Sequence, residues 1–299
     1  MPPITHLWTR LTSTRWEDAW IERLRVAGPE ALVIKAFPAS RALRLQVYTN
    51  KSMAARLLKN FGGSVRPFNA ATWTPPASTR RIPLRIAGGL RLYNDHKIFL
   101  QEQKKTSSSK TQSLFIPAGM AFGTGDHATT NSCLRLLNTI AKSLPVNQWS
   151  LLDLGTGSGV LALAGELLGA QKILGIDFDN RCVTIAQENA LANQLPRSRF
   201  RHADLLRWKL PGTWNVIAAN IYSSVLTTVA PKIASALEPQ GHLILSGILA
   251  VECDEILATF TSLGMEKIAV LTRGKWCAIH LKNNKDEGRM KGIRKNKNL

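Results

Sequence analysis

The chain has 299 residues, of which 44% are hydrophobic and 20% are charged, as in an ordinary globular protein. No apolar run reaches about 18 residues and no basic head precedes an apolar core at the start, so we expect neither a membrane span nor a secretion signal. The formal net charge of +19 suggests an acidic partner such as RNA or a ribosomal particle, and a solvated basic surface is the alternative.

The positive charge lies at the two ends of the chain. Residues 1–120 contain 19 Lys and Arg against 6 Asp and Glu, and residues 121–281 contain 13 against 12. The last residues, 283–299, are rich in Lys and Asn and almost free of apolar side chains, which predicts a basic disordered tail.

The cysteines and histidines show no spacing typical of a metal site. Cys133, Cys182, Cys253 and Cys277 form no C-x-x-C pair, and we expect them to be reduced thiols in a cytoplasmic protein. The six histidines show no ligand spacing either, so the sequence implies no metal.

Residues 1–68 predict a small N-terminal domain. Strands are expected near residues 7–11, 31–37, 42–48 and 64–68, with helices near 16–24 and 52–60. The order β-α-β-β-α-β is that of a ferredoxin-like α+β unit. Residues 69–113 follow as a linker, because their density of Pro, Ser and charged residues indicates exposed, partly mobile chain. Within it, Ile82–Ile86 and Leu90–Tyr93 are expected to form a small hairpin.

Residues 114–282 predict one α/β domain. Helices are expected at 158–168, 180–193, 222–237 and 251–263, between strands at 150–154, 172–177, 199–203, 214–220, 241–246, about 266–272 and about 275–282. Parallel strands joined by helices predict a doubly wound sheet. The connection Thr272–Lys275 is too short for a parallel crossover, so the last two strands form an antiparallel hairpin. A seven-stranded sheet with this ending is the layout of Rossmann-like methyltransferases.

The stretch Leu151–Val160 predicts a strand, a glycine turn and the start of a helix. Asp153 closes the strand, where its carboxylate can meet the ammonium of a methionine-like group. The glycines that open the backbone to a cofactor are Gly155, Gly157 and Gly159. The third glycine comes one residue early for a nicotinamide site, which has glycine where this chain has Val160. Close glycines behind an aspartate fit S-adenosylmethionine, which has no pyrophosphate to bind.

Three further polar residues follow the later strands. Asp177 lies 22 positions after Gly155, where a carboxylate can accept both ribose hydroxyls. Asp204 can accept the adenine amino group or cap a helix. Asn220 ends the fourth strand, where its carbonyl can accept an amine N–H and aim the lone pair at a methyl carbon, or the side chain can cap the next helix.

Residues 115–130 combine Gly, Thr and His directly before a predicted apolar helix that continues to about Ile140. The pattern predicts a polar pocket wall. The alternative is an ordinary loop with a helix N-cap at Thr129 or Thr130.

Four blocks of this sequence resemble the ribosomal protein L-eleven methyltransferase family (PrmA type): Pro117–Thr130, Asp153–Gly159, Ala219–Ile221 and Leu245–Leu249. The similarity covers about residues 115–282 and is weaker over 1–100, where that family has a small substrate-recognition domain and a linker. Three positions depart from the family pattern: Thr156, Asp126 and Ala128, where Cys, Thr and Pro are usual.

The resemblance implies roles for residues on both sides of the pocket. By this resemblance Thr130, Gly155, Asp177 and Asn220 contact the cofactor. Phe122 and His127 fall on the pocket loop. We expect the loop Phe122–Thr130 and Asn220 to form the side of the pocket that receives the methyl acceptor.

Together these patterns predict a monomeric, S-adenosylmethionine-dependent methyltransferase of lysine ε-amino or N-terminal α-amino groups in a ribosomal protein. Asn220 would orient the amine, with His127 as candidate general base or proton loss to water as the alternative. The rival hypotheses are methylation of another protein lysine or of RNA, and a non-catalytic ribosome-associated binder.

Overall fold

The structure is a computed structural model that describes residues 4–13, 20, 23–24, 27, 31–37, 42–69, 83–86, 89–105, 112–117 and 127–284. Within this part of the chain no helix combines the length and the apolar character needed to cross a bilayer. The chain divides into two compact units, Met1–Ala77 and Ser78–Leu299. Most of the linker predicted at 69–113 therefore belongs to the second unit, and the expected domain boundaries stay predictions. The tail from residue 285 lies outside the described residues.

The first unit is a four-stranded antiparallel sheet with order β2-β3-β1-β4. Its elements are β1 (His6–Ser13), β2 (Leu32–Ala36), β3 (Ala42–Thr49), α1 (Lys51–Phe61) and β4 (Ser64–Pro67). Trp8, Leu45 and Leu57 are buried in its core. The strands and the second helix lie where the sequence predicts them. The first predicted helix falls mostly outside the described residues, so the ferredoxin-like assignment stays a prediction.

The second unit begins with a three-stranded sheet of order β5-β6-β7. Its elements are β5 (Leu84–Arg85), β6 (Leu90–Tyr93), α2 (His96–Lys105) and β7 (Gln112–Phe115). β5 and β6 pair antiparallel, as the predicted hairpin requires, over the part that is described. Within the described residues of this segment, the expectation of exposed chain was wrong at Leu92, Phe99 and Leu114, which are buried. The Asn193 side chain ties β7 down by bonding both the N–H and the C=O of Phe115, each at 2.7 Å.

The rest of the unit forms a seven-stranded sheet of order β10-β9-β8-β11-β12-β14-β13. Its strands are β8 (Trp149–Leu154), β9 (Ala170–Asp177), β10 (Ser198–His202), β11 (Trp214–Asn220), β12 (Leu237–Leu249), β13 (Met265–Arg273) and β14 (Trp276–Asn283). Its helices are α3 (Ala128–Ala141), α4 (Val160–Leu167), α5 (Asn180–Ala192), α6 (Ser223–Ala236) and α7 (Cys253–Thr261). β8 to β12 pair in parallel, and β14 is antiparallel to β12 and β13, which confirms the Rossmann-like prediction.

Both faces of this sheet are covered, which explains why its strands are continuous apolar runs. Along β8, Leu151 is buried in the core on one face and its neighbour Leu152 in the core on the other. β11 divides its residues in the same way, with Val216 and Ile217. The polar residues are left for the carboxyl ends of the parallel strands, which meet at one edge of the sheet.

Two cysteines are paired. Cys253, at the start of α7, and Cys277, on β14, form a disulfide with their Cα atoms 6.2 Å apart. The expectation of four reduced thiols was wrong for this pair. It arises because the chain turns back over β14 directly after β12, a contact that the sequence spacing does not reveal. Cys133 and Cys182 are buried and form no disulfide among the described residues, as expected.

Candidate active site

The turn after β8 exposes backbone at the carboxyl edge of the sheet. Its three glycines all have positive φ: 73° at Gly155, 54° at Gly157 and 81° at Gly159. The N–H groups of Gly155 and Thr156 both donate to the Ile176 carbonyl at 2.9 Å, which anchors the turn to β9. α4 begins directly after the third glycine, so the turn leads into a helix N-terminus.

Asp153 lies beneath this turn and is only 1% exposed. Its Oδ2 accepts a hydrogen bond from the Thr156 hydroxyl at 2.6 Å. Its Oδ1 is buried and has no hydrogen-bond partner among the described residues. Burial raises the pKa of Asp153 to about 7, the Thr156 hydroxyl and the Ala162 backbone N–H oppose this rise, and the Asp177 charge adds to it. One carboxylate oxygen is thus left without the donor that a charged group in such surroundings requires.

Asp177 ends β9 and closes the turn from the other side. Its Oδ2 accepts from the Gly157 N–H at 2.9 Å and its Oδ1 from the Asp179 N–H at 3.0 Å. Each carboxylate oxygen can accept a second bond, so hydroxyl groups of a ligand can still be held. The spacing predicted from the sequence therefore brings Asp177 to the glycine turn.

Asp204 stands beyond the end of β10 and is exposed. Its Oδ1 accepts from the Leu206 N–H at 2.9 Å, so the side chain caps the turn that follows, as in the alternative interpretation of the sequence. Lys232 of α6 steadies this turn by donating to the carbonyls of Leu205 and Trp208 at 2.6 and 3.1 Å. The structure gives Asp204 this capping role, and its contact with adenine stays a prediction.

Asn220, at the carboxyl end of β11, contacts Thr130, in the first turn of α3. Asn220 Nδ2 donates to the Thr130 hydroxyl at 3.3 Å. The Asn220 Oδ1 is buried and has no partner in the described part of the chain. Thr130 itself is fully buried in the first turn of α3. The structure thus brings together two residues that the resemblance selected from distant motifs.

His127 is the N-cap of α3, so the cap expected at Thr129 or Thr130 lies two or three residues earlier. Its Nδ1 accepts from the Thr129 N–H at 3.4 Å and lies 2.7 Å from the Thr129 hydroxyl. Its ring packs edge-on against Trp276, with centroids 5.1 Å apart. Burial, together with the charge of Lys275, lowers the pKa of His127, which keeps the imidazole neutral at pH 7. Phe122 lies outside the described residues.

Two glycines complete the site without having been assigned a role from the sequence. A Cβ at Gly247 would lie 2.5 Å from the Ile221 carbonyl oxygen, so only glycine lets β12 approach the chain directly after Asn220. A Cβ at Gly175 would lie 2.6 Å from the Thr156 Oγ1. A glycine inside a strand was the available signal for each, since it often marks a close approach of backbone or side chain.

Comparison with known proteins places the chain in a family. Residues 9–284 match the model of the family described as ribosomal protein L11 methyltransferase (PrmA). A protein of that name from Heliobacterium modesticaldum is 39% identical over 165 residues, which cover 55% of this chain and 51% of the relative. One from Brucella suis is 42% identical over 175 residues, covering 56% and 59%.

The chain spans about half the length of the curated relatives that it matches. Among solved structures, a ribosomal protein L11 methylase from Lactobacillus delbrueckii subsp. bulgaricus has a TM-score of 0.57 at 24% identity. The match covers 68% of this chain and 99% of that one, which shows a shared fold. Because the family match extends over most of its length, this chain belongs to the ribosomal protein L11 methyltransferase (PrmA) family.

Proposed function

We propose that this protein transfers a methyl group from S-adenosylmethionine to amine nitrogens of a ribosomal protein, ribosomal protein L11. The observation that carries the proposal is the buried Oδ1 of Asn220, which has no hydrogen-bond partner among the described residues. An amine N–H is the donor that this oxygen needs. Its position at the end of β11, beside the glycine turn of β8, suits an acceptor that meets a cofactor there.

The residues around the glycine turn fit S-adenosylmethionine, which supplies an electrophilic methyl group when bound. The lone Oδ1 of Asp153 suits the ammonium group of the methionine part. The open lone pairs of Asp177 suit the ribose hydroxyls. Asp204 would face the adenine amino group. The family match and the orphaned Asp153 oxygen together support this assignment.

The chain's own contribution to transfer would be orientation of the amine. Methyl transfer needs a neutral amine, and neutralising a lysine of pKa ~10.4 near pH 7 costs roughly 4–5 kcal/mol. Asn220 would accept one N–H and direct the nitrogen lone pair toward the methyl carbon. The bond from Nδ2 to Thr130 fixes which end of the amide faces the amine.

The proton has two possible acceptors, His127 and water. His127 is held neutral, as a base must be, but its Nδ1 is already engaged by Thr129. We therefore propose that His127 orders α3 and the pocket wall, and that the proton of the acceptor amine passes to water. The proposed acceptors are lysine ε-amino groups of the substrate, and its N-terminal α-amino group can be an acceptor as well.

The basic N-terminal region, residues 1–68, would recognise the protein substrate, and the methyltransferase domain would be residues 114–282. Ribosomal proteins are made in the cytoplasm, so the enzyme would act there. We propose separately that it acts as a monomer. The excess of Lys and Arg in residues 1–120 supports contact with an acidic ribosomal surface or RNA.

The test is methyl transfer from radiolabelled S-adenosylmethionine into a mixture of purified ribosomal protein L11 and ribosomal RNA. We expect the label in the protein and unaffected by nuclease. Label that appears in the RNA and disappears after nuclease treatment would replace this proposal by RNA methylation. Absence of cofactor binding in a calorimetric titration would instead leave only a non-catalytic binder.

A further inference from the structure

Two arginines converge on a single amide oxygen at the antiparallel end of the large sheet. Arg135 of α3 donates from Nε to the Asn131 Oδ1 at 2.8 Å, and Arg273 at the end of β13 donates from Nη1 to the same atom at 2.5 Å. Because both nitrogens bond one oxygen, the two guanidinium groups lie within about 5 Å of each other, close enough to repel. Across the ranges that the structure describes, no carboxylate lies within ion-pair distance of either group.

A neutral amide does not compensate two positive charges. Asn131 is 5% exposed and offers two lone pairs but no charge. Each guanidinium group has five N–H donors, and its bond to Asn131 uses one of them. The four ion pairs of the described residues show that other arginines in this chain do find carboxylates. Arg273 is exposed and Arg135 is partly buried, and with no carboxylate of the described residues beside them their guanidinium groups can receive an anion from solution.

The pair lies beside the proposed methyl-acceptor side of the pocket. Asn131 directly follows Thr130, the partner of Asn220. Arg273 is paired with Trp276 across the β13–β14 hairpin, and the Trp276 ring packs on His127. The arginine pair is thus linked through α3 and through the hairpin to the residues that surround the acceptor.

We propose that Arg135 and Arg273 form a subsite for a carboxylate of the polypeptide that is methylated, near its target amine. This rests on the proposed function. A side-chain carboxylate has two oxygens in one plane, and each can accept from one guanidinium group. A carboxylate seated there relieves the repulsion between the two cations and fixes the register of the acceptor chain. The chemical class of ligand is an Asp or Glu side chain.

The first test separates acceptor binding from cofactor binding. In R135Q, R273Q and the double variant, we expect the KM for ribosomal protein L11 to rise about 10-fold, as for loss of a charged hydrogen bond. The kcat and the calorimetric Kd for S-adenosylmethionine stay unchanged. R199Q, at an exposed position on β10 at the opposite side of the sheet, is the matched control and leaves all three constants unchanged. An unchanged KM in the double variant overturns the proposal.

The second test needs no methyl transfer, so it separates this subsite from the proposed function. We expect succinate to raise the Tm of the wild-type protein above its value in chloride at equal ionic strength, and the double variant to lose this difference. R135E is expected to raise the Tm in chloride, because the glutamate introduced on α3 would pair with Arg273.

An equal succinate effect in the double variant contradicts the subsite. A larger effect of inorganic phosphate than of succinate contradicts the carboxylate assignment and favours a nucleic-acid phosphate. If succinate raises the Tm of a protein that does not methylate L11, the proposed function is wrong and the anion site is still supported.

Discussion

Asn220 at the end of β11 donates from its Nδ2 to the hydroxyl of Thr130 at 3.3 Å, across 90 positions of the chain. The amide nitrogen is thereby engaged on α3, while the amide oxygen is buried with no partner in the described part of the protein. This bond orients the amide so that its Oδ1 is available to accept a hydrogen bond from a ligand. An amine substrate needs such an acceptor.

Removal of the Thr130 hydroxyl should uncouple this arrangement. In Thr130→Val the amide loses its fixed partner and can rotate, so the single-turnover methyl-transfer rate should fall about 10-fold, as expected for loss of one positioning hydrogen bond. Thr130→Ser keeps the hydroxyl and should retain most of the rate. If both variants lose the same rate, the Thr130 methyl group and not the hydrogen bond is what matters.

Thr156 should control how cofactor binding depends on pH. The hydroxyl favours the charged form of Asp153, whose pKa is about 7, and the cofactor ammonium requires that charged form. In the wild type, affinity for S-adenosylmethionine should therefore weaken as the pH falls through 7. In Thr156→Val the pKa of Asp153 rises further, so this loss should begin at a higher pH and the Kd at pH 7 should rise about 10-fold.

Calorimetric titrations across pH 6–9 measure this shift. Thr156→Ser is the matched control because it keeps the hydroxyl. The titration of the cofactor's own ammonium group is the same in both variants, so a difference between them reports on Asp153. The Cys133 thiol also lies near Asp153, and burial raises its pKa to about 12, so it does not change charge in this range. Identical midpoints in the valine and serine variants would show that Thr156 does not tune Asp153.

Gly247 should be intolerant of any side chain. In Gly247→Ala the new Cβ would lie 2.5 Å from the Ile221 carbonyl oxygen at a φ of 80°, so β12 would have to move away from β11. We expect a loss of at least about 2 kcal/mol in the free energy of unfolding, measured by urea denaturation. Gly264→Ala is the control, because its φ is 87° but nothing lies within 4 Å of its Cβ. A similar loss in both variants would attribute the effect to backbone strain alone.

His127 should act on structure more than on proton transfer. His127→Asn keeps a side chain that can cap α3 and removes the imidazole, so kcat should change less than about 3-fold. Because burial and Lys275 lower the pKa of His127, the rate should show no inflection from this residue near pH 6.5. A large fall in kcat together with the loss of a low-pH inflection in the pH–rate profile would instead identify His127 as the general base.

The seven-stranded sheet was predictable because its strands are apolar runs separated by glycines and helices of ordinary length. Asp153, Asp177 and Asn220 were predictable because the carboxyl ends of parallel strands share one edge. Each of these signals is local in sequence, or follows from the topology alone.

The features that the sequence did not reveal depend on contacts between distant residues. Helix α2 has charged and amide side chains over most of its length, and it is held by Phe99, which stacks on Phe115 at 5.7 Å. The Cys253–Cys277 disulfide follows from the return of the chain over β14. The approach of Arg135 and Arg273 depends on the packing of α3 against the antiparallel hairpin, which no spacing encodes.

The most direct measurement is the intact mass of ribosomal protein L11 after incubation with the enzyme and S-adenosylmethionine. The wild-type enzyme should add mass in multiples of one methyl group. Asn220→Ala should leave the mass unchanged during the same incubation while it still binds the cofactor in calorimetry. No mass gain with the wild type, or an equal gain with Asn220→Ala, would contradict the role proposed for Asn220.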